Sequence, residues 1–308
     1  MAVAVASAPR STSADLAREL APSRGRRWVV NIAMTVLMAL CVGIVGFALV
    51  LVLITLLGKG LSIVTANFPD WFTTDVPLSA RREGPGMKSA IIGTLVITAT
   101  ATAIAVPLGI LGAVYLNEFG KRSAFARALR FLTNVMAGVP SIVMGLFIYV
   151  FWVTARGVDG LNAFSGALAL ACLMLPIVVR SSEEMLRLVP QNLRDASNAL
   201  GATPTRTTLS VTLPSAAPGI VSGCLLAIAR AAGETAPLVF TIGAAKSTNW
   251  NPFSGANTAL PMQIYGNAKE SFDPAQARAW GAALTLILIA FAAMIVARIV
   301  TAKLSKNR

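Results

Sequence analysis

The sequence predicts an all-α membrane protein with six transmembrane helices. Of its 308 residues, 56% are hydrophobic and only 13% are charged, about half the charged fraction of an ordinary soluble domain. The hydrophobic residues fall in blocks of about 20 or more, the length a helix needs to cross the hydrocarbon core. Lysine and arginine flank these blocks instead of forming one patch, so the net charge of +13 does not indicate a nucleic-acid-binding protein.

Six apolar runs are predicted to span the membrane, and with their connections they make one transmembrane domain, residues 29–308. Residues 1–28 are rich in Ala, Ser, Pro and Arg and are predicted to be a cytosolic tail. The first run is too long for the apolar region of a cleaved signal peptide. The predicted spans are 29–57, 89–116, 131–153, 161–179, 217–243 and 279–300.

The segments between the spans alternate in positive charge. One alternating set holds 16 Lys and Arg and the other holds 8. Because basic connections are retained in the cytosol, this bias predicts an even number of spans with both termini cytosolic. The two long segments of the second set, 58–88 and 244–278, are predicted to be external loops that anchor at the surface or meet a partner. The basic set comprises 1–28, 117–130, 181–212 and the tail from Arg298, and the other comprises 58–88, 154–160 and 244–278.

The residue types disfavour an enzyme. The sequence has no histidine, the commonest general base and metal ligand. No GxxxxGK[ST] nucleotide loop is present, and the nearest stretch, 243–247, lacks a glycine before Lys246. A membrane-embedded enzyme would need a nucleophile–base pair or a metal-ligand cluster, and neither is evident. We therefore predict a transport protein without cofactor, metal or catalytic residues of its own; a scaffold or sensor subunit is the alternative.

The cytosolic segment 181–212 is long for a connection between two antiparallel helices. Residues 193–200 form a helical pattern that ends at Gly201, a residue typical of helix C-termini. The exposed Ala and Leu side chains of such a helix need a partner groove to bury them. We expect a short helix lying under the bilayer that docks on another protein.

Residues 195–214, DASNALGATPTRTTLSVTLP, resemble the signature loop of the permease subunits of ABC importers. That loop reads Glu-Ala-Ala, three residues, Gly, nine residues, Ile, one residue, Leu-Pro. Here Asp, Ala, Ser, Gly, Val, Leu and Pro occupy its positions without a gap. The resemblance implies a type I ABC-importer permease fold, with its core at about 85–305, in which this loop is the coupling helix that docks on an ATPase subunit. The coupling residues it implies are Asp195, Ala196, Gly201, Leu213 and Pro214.

The next span carries two charged residues four positions apart, Arg230 and Glu234, which share one helix face. If this helix begins near residue 218, Arg230 lies about 18 Å from its start, near the middle of the hydrocarbon core. A charge at that depth costs a few kcal/mol or more, so it is expected to face the bundle interior or an aqueous path. The pair either neutralises itself and fixes helix packing or contributes to a path for an anion.

Arg180, at the end of the fourth predicted span, is either a cytosolic anchor or part of the same path. Guanidinium forks suit tetrahedral oxyanions because they donate to two oxygens at once. The run ARAAGETAPL at 229–238, with AGVPSIVMG at 137–145 and LPMQIY at 260–265, resembles the phosphate-specific permeases of the PstA family. This resemblance implies import of inorganic phosphate, with Arg180, Arg230 and Glu234 in the translocation path. A permease for another oxyanion, such as sulfate or molybdate, is the alternative.

The same resemblance implies a complex of several proteins in the plasma (inner) membrane. This chain would pair with a second, related permease subunit (PstC-like) and with two copies of an ATPase (PstB-like), which hydrolyse the ATP. An extracytoplasmic phosphate-binding protein (PstS-like) would deliver the substrate to the outer loops. Membrane lipid is the remaining expected partner, and nucleic acid is not one.

Overall fold

A computed structural model describes residues 25–82, 84, 86–120 and 123–306. The tail predicted at residues 1–28 therefore lies almost entirely outside the described residues. Within those ranges all regular secondary structure is helical. Six stretches are long and apolar enough to cross a membrane, which confirms the prediction of an all-α, multi-pass protein. They are Arg27–Ala66, Lys88–Phe119, Ser141–Gly160, Ala163–Arg187, Pro204–Ala232 and Asp273–Val296.

The chain divides into two units, one ending at Thr55 and the other beginning at Leu56. The described part of the first unit is a single helix, α1 (Arg26–Ala66), which continues into the second unit. From residue 27 to residue 55, none of the described side chains is buried, and most of them are apolar. A helix that is apolar on all sides requires lipid or partner helices around it.

The second unit contains the remaining helices, which we number in chain order. In the part of the chain that the structure describes, three five-residue turns with π-helical hydrogen bonds accompany them: Tyr115–Phe119 extends α3, Tyr149–Val153 extends α5, and Thr208–Thr212 precedes α9. A 3₁₀ stretch, Thr154–Gly160, completes the third span. The helices are α2 (Asp70–Thr73), α3 (Lys88–Val114), α4 (Ala124–Gly138), α5 (Ser141–Ile148), α6 (Ala163–Arg187), α7 (Gln191–Ala199), α8 (Pro204–Thr207), α9 (Leu213–Ala232), α10 (Ala236–Thr241), α11 (Leu260–Ala268) and α12 (Asp273–Lys306).

The core of the second unit lies where α3 and α9 pack on α6. Small residues such as Ala101, Ala105 and Ala167 are fully buried there. A Cβ added to Gly109 on α3 would lie 2.6 Å from Cγ1 of Val178 on α6, so the two backbones approach closely. Small side chains at such contacts are typical of helix packing in membranes, where dispersion replaces the hydrophobic effect.

The predicted third span, 131–153, begins in the wrong place. Helix α4 ends at Gly138, and Val139 and Pro140 have extended ψ angles of 131° and 139°. Proline sterically disfavours the helical conformation of the residue before it. The spanning stretch is therefore Ser141–Gly160, and the continuous apolar composition concealed the break.

The predicted fifth span, 217–243, is two helices. The long stretch Pro204–Ala232 begins earlier than expected, and α10 follows a short break with Pro237 in its first turn. Proline suits that position because the N–H it lacks would have no partner within the helix. Arg230 therefore lies in the last turn of α9, and not in the middle of a helix that begins near residue 218.

The two long segments predicted to be external loops contain helical structure. The first segment includes the C-terminal part of α1 and all of α2, and the second includes all of α11 and the N-terminal part of α12. The carboxylate of Asp75 accepts hydrogen bonds from the hydroxyl and the backbone N–H of Thr248, the latter at 3.1 Å, which joins the two segments. The N–H of Leu260 donates to the hydroxyl of Thr94 at 2.8 Å and holds α11 on α3.

Candidate functional site: an arginine-lined cavity and the coupling helix

The short helix predicted at residues 193–200 is present as α7, Gln191–Ala199. The chain leaves it through Gly201, whose φ of 81° lies in the left-handed region that favours glycine. None of the nine residues of α7, all of them described, is buried. Leu200 at its end is 90% exposed. The helix presents a surface that another protein can cover.

The predicted coupling residues fall in two places. Asp195, Ala196 and Gly201 are exposed on α7 and at its end, and the Asp195 carboxylate accepts a hydrogen bond from Nε2 of Gln191 at 3.0 Å. Leu213 and Pro214, in contrast, are half-buried in the first turn of α9. The first group can meet a partner directly, whereas the second starts the helix that leads to Arg230.

Side-chain hydrogen bonds hold α7 against α8. The hydroxyl of Thr207 lies 2.9 Å from the hydroxyl of Ser197 and donates to Oδ1 of Asn198 at 3.1 Å. The hydroxyl of Thr203 caps the N-terminus of α8 by accepting from the N–H of Arg206. The loop after α7 is thus ordered by its own polar residues.

Arg230 and Glu234 lie close together, but not on one helix face as predicted, because α9 ends at Ala232 and Glu234 lies in the break before α10. Nε of Arg230 lies 3.7 Å from Oε1 of Glu234, an ion-pair contact longer than a hydrogen bond. The Arg230 side chain is 70% exposed and that of Glu234 is 20% exposed. Within the described part of the chain this is the ion pair that Arg230 makes, so most of its N–H donors are directed to open space.

Arg230 and Arg180 face the same cavity, of about 470 Å³. Its wall is completed by part of the AGVPS segment, including Val139, Pro140 and Ser141, where the chain breaks between α4 and α5. Arg180 is exposed, and its Nη2 donates to Oδ1 of Asn134 at 2.9 Å. Two sites fifty residues apart in the sequence therefore place guanidinium groups on one cavity.

Glu234 is not among the described residues that line this cavity. It contacts Arg230, which does line the cavity.

A second cavity, of about 290 Å³, adjoins the first and shares Arg180 and Glu184 with it. Glu183, also in its wall, has a side chain only 11% exposed and accepts from Nη2 of Arg130 at 2.9 Å and from Nη2 of Arg187 at 2.6 Å. Among the described residues, four arginines and two glutamates line the two cavities together. This excess of positive charge favours an anion in them.

Several polar residues of this region were not predicted from the sequence: Glu118, Arg130, Asn134, Glu183, Glu184, Arg187 and Arg194. Part of the signal was present, because Glu183 and Glu184 follow Arg180 at three and four positions, the spacing of neighbours on one helix face. The predicted end of the fourth span at residue 179 placed them outside the helix, which in fact continues to Arg187.

Residues 105–306 match the model of the family described as "Binding-protein-dependent transport system inner membrane component". The chain belongs to this family. The family's domain includes both cavities, α7 and the break after α9, and it leaves α1 outside.

Named relatives narrow the comparison. The chain is 48% identical over 204 residues to the phosphate transport system permease protein PstA 1 of Mycobacterium tuberculosis (strain ATCC 25618 / H37Rv), a match that covers 66% of each chain. It is 45% identical to PstA of Mycobacterium leprae (strain TN), covering 71% of this chain and 72% of that one. For PstA of Pasteurella multocida (strain Pm70) the identity is 38%, covering 84% and 90%.

Solved structures of transport permeases share the fold. The MetNI methionine ABC transporter, in inward-facing conformations, aligns with a TM-score of 0.55 at 20% identity and covers 70% of this chain and 93% of its own. A bacterial ABC transporter involved in import of the acidic polysaccharide alginate aligns with a TM-score of 0.57 at 13% identity, covering 91% and 99%. The fold is that of type I ABC-importer permeases, as the signature loop implied.

Proposed function

We propose that this chain is the permease subunit of an ATP-driven importer that moves inorganic phosphate into the cytosol. The observation that carries the proposal is the cavity that Arg180 and Arg230 share. Arginine donors with few internal partners suit a tetrahedral oxyanion, and each fork can donate to two of its oxygens. The names of the relatives favour phosphate over sulfate or molybdate, whose charge and shape the cavity alone would also accept.

The exposure of the two arginines supports a binding role over a packing role. A pair that existed only to neutralise itself would close the distance between Arg230 and Glu234, yet that distance is 3.7 Å and Arg230 is 70% exposed. Glu234 limits the net positive charge, so phosphate can bind and also leave. A permease needs that balance, because a site that holds its substrate too tightly does not release it.

ATP hydrolysis belongs to partner subunits in this proposal. Two PstB-like ATPases would dock on the exposed surface of α7 around Asp195 and Ala196, and a PstC-like permease would pair with this chain in the inner membrane. A PstS-like protein would bring phosphate to the outer segments that Asp75 and Thr248 join. With both termini cytosolic, α7 lies on the ATPase side. Closure of the ATPase dimer would then move the membrane helices between outward-open and inward-open states.

Uptake of labelled phosphate at low external concentration tests the proposal. Cells that lack this chain are complemented with wild type, with Arg230→Gln or with Arg127→Gln, which removes an exposed arginine of α4 outside the cavity walls. We expect Arg230→Gln to reduce uptake by about tenfold to a hundredfold, the value of a charged hydrogen bond, while Arg127→Gln transports normally. Excess sulfate should not compete.

Different failures have different meanings. If wild type restores no phosphate uptake, or if sulfate competes fully, the phosphate assignment is wrong. If Arg230→Gln transports as well as wild type, the chain keeps its transport role and Arg230 has a packing role.

A further inference from the structure

Arg194 differs from its neighbours on α7. Its side chain is only 11% exposed, whereas Leu193 is 43% exposed and Asp195 is also exposed. Covering a guanidinium costs free energy unless it is paired and hydrogen-bonded. The groups that Arg194 contacts therefore show what its covered side chain stabilises.

The Arg194 guanidinium joins three segments of the chain. Nη2 donates to the carbonyl of Leu186, in the last turn of α6, at 2.9 Å, and Nη1 donates to the carbonyl of Val189, just after that helix, at 2.6 Å. Nη2 also donates to Oε1 of Glu118 at 3.0 Å, and Glu118 is itself only 11% exposed. Nδ2 of Asn117 donates to the same carboxylate oxygen at 2.7 Å, which fixes its position.

The partner carboxylate lies in the π-helical turn Tyr115–Phe119, which ends the second span. A second arginine reaches this turn, because Nη2 of Arg130 donates to the carbonyl of Leu116 at 2.9 Å. Arg130 also pairs with Glu183 in the wall of the second cavity. Direct contacts thus run from the coupling helix through the turn to the arginine-lined cavities.

We propose that Arg194 is a positioning residue that, through Glu118, couples movement of the coupling helix to movement of the second span. This coupling would let ATP hydrolysis drive phosphate transport. This inference rests on the proposed function. Energetic coupling between distant sites travels through hydrogen-bond networks and rigid helices of this kind. The π-helical turn adds a place where the helix can rearrange, since its hydrogen bonds are already displaced from the regular pattern.

The contacts between α7 and α8 do not serve this purpose. Ser197 and Thr207 are ten residues apart, in consecutive helices of one loop. Arg194 and Glu118 are 76 residues apart, and Arg194 lies on α7 whereas Glu118 lies at the end of the second span. The loop that contains α7 connects the fourth and fifth spans. Of the contacts described here, the one between Arg194 and Glu118 can transmit a displacement of α7 to the second span, which is not adjacent to this loop in the sequence.

The test uses proteoliposomes that hold the complete complex, with the binding protein and labelled phosphate on one side and ATP on the other. Phosphate transported and ATP hydrolysed are measured together for wild type, Arg194→Met, Glu118→Gln and the double variant. Arg127→Met, an exposed arginine of α4, is the matched control. We expect both single variants to lower the ratio of phosphate to ATP by about fivefold or more, the double variant to be no worse than the lower single variant, and the control to match wild type.

The outcomes separate the inference from its premise. An unchanged ratio in Glu118→Gln overturns the inference, as does an equal loss of transport and hydrolysis, which a merely structural contact would cause. If Arg194→Met does not assemble, Glu118→Gln decides, because it preserves the shape of the side chain and leaves Arg194 its two carbonyl acceptors. If the wild-type complex hydrolyses ATP without moving phosphate, the proposed function fails and the inference falls with it.

Discussion

Two groups of arginines in the second unit differ in how they are bonded. Arg130 and Arg194 each donate to a carboxylate and to at least one backbone carbonyl. Arg180 and Arg230 each have one described side-chain partner, at 2.9 Å and 3.7 Å, and both are exposed. The first group is committed to the fold, while the second makes few contacts with the described residues. Bonding state, and not residue type, separates the arginines committed to the fold from those that we propose to bind phosphate.

Loss of the Glu183 charge should give the largest effect on the committed group. Glu183→Gln removes the anion that Arg130 and Arg187 share, and we expect the free energy of unfolding to fall by about 2 kcal/mol, a value reduced from that of a fully buried pair because Arg130 is 35% exposed. The apparent Tm of the purified protein in detergent should fall by about 4 °C or more. Glu184→Gln, an adjacent exposed glutamate, should melt within about 1 °C of wild type. Equal melting of the two variants would contradict the distinction.

An intermediate effect, on phosphate uptake, is expected when an arginine of the second group, Arg180, is replaced by lysine. Arg180→Lys keeps the positive charge but removes the planar fork that donates to two oxygens. We expect the KM for phosphate uptake to rise about threefold to tenfold, with no change in apparent Tm. A lower Tm at an unchanged KM would move Arg180 to the committed group.

The smallest effect is expected at Arg187. Of the two arginines that bond to Glu183, it is the one close to Glu183 in the sequence. Its side chain is 58% exposed, and it lies four residues from Glu183 on the same helix. Exposed pairs at this spacing contribute about 0.3–0.5 kcal/mol. The apparent Tm of Arg187→Met should therefore fall by no more than about 2 °C. A fall as large as that of Glu183→Gln would show that Arg187, and not Arg130, holds the carboxylate.

The sequence identified the elements whose signals are local. Helix α7 was predicted to within two residues at its start and one at its end, because a helical pattern precedes Gly201 and the glycine ends it. The proximity of Arg230 and Glu234 was predicted, but the shared helix face was not found, because α9 ends at Ala232. The breaks at Pro140 and before Pro237 were missed since apolar residues continue on both sides, and hydropathy responds to composition and not to backbone angles.

The committed arginines were missed for a different reason. Arg130 meets Glu183 across 53 residues and Arg194 meets Glu118 across 76. Helical periodicity relates residues three or four positions apart, so it gives no information on which charged residue of one span meets which residue of another. That pairing depends on how α3, α4 and α6 pack, which the buried alanines and glycines decide. A path for the anion at Arg180 and Arg230 was expected, but the other residues that line the cavity were not predicted from the sequence.

The three π-helical turns have a consequence for how this chain can vary through evolution. Such a turn holds one residue more than an α-helical turn between the same hydrogen-bonded ends. Deleting a single residue within Thr208–Thr212 can therefore be absorbed by a return to the regular pattern, whereas a deletion in the middle of α9 would rotate every later side chain by about 100°. Changes of chain length by one residue should thus accumulate at these turns in descendants of this sequence, and the arginines beyond them would keep their orientation.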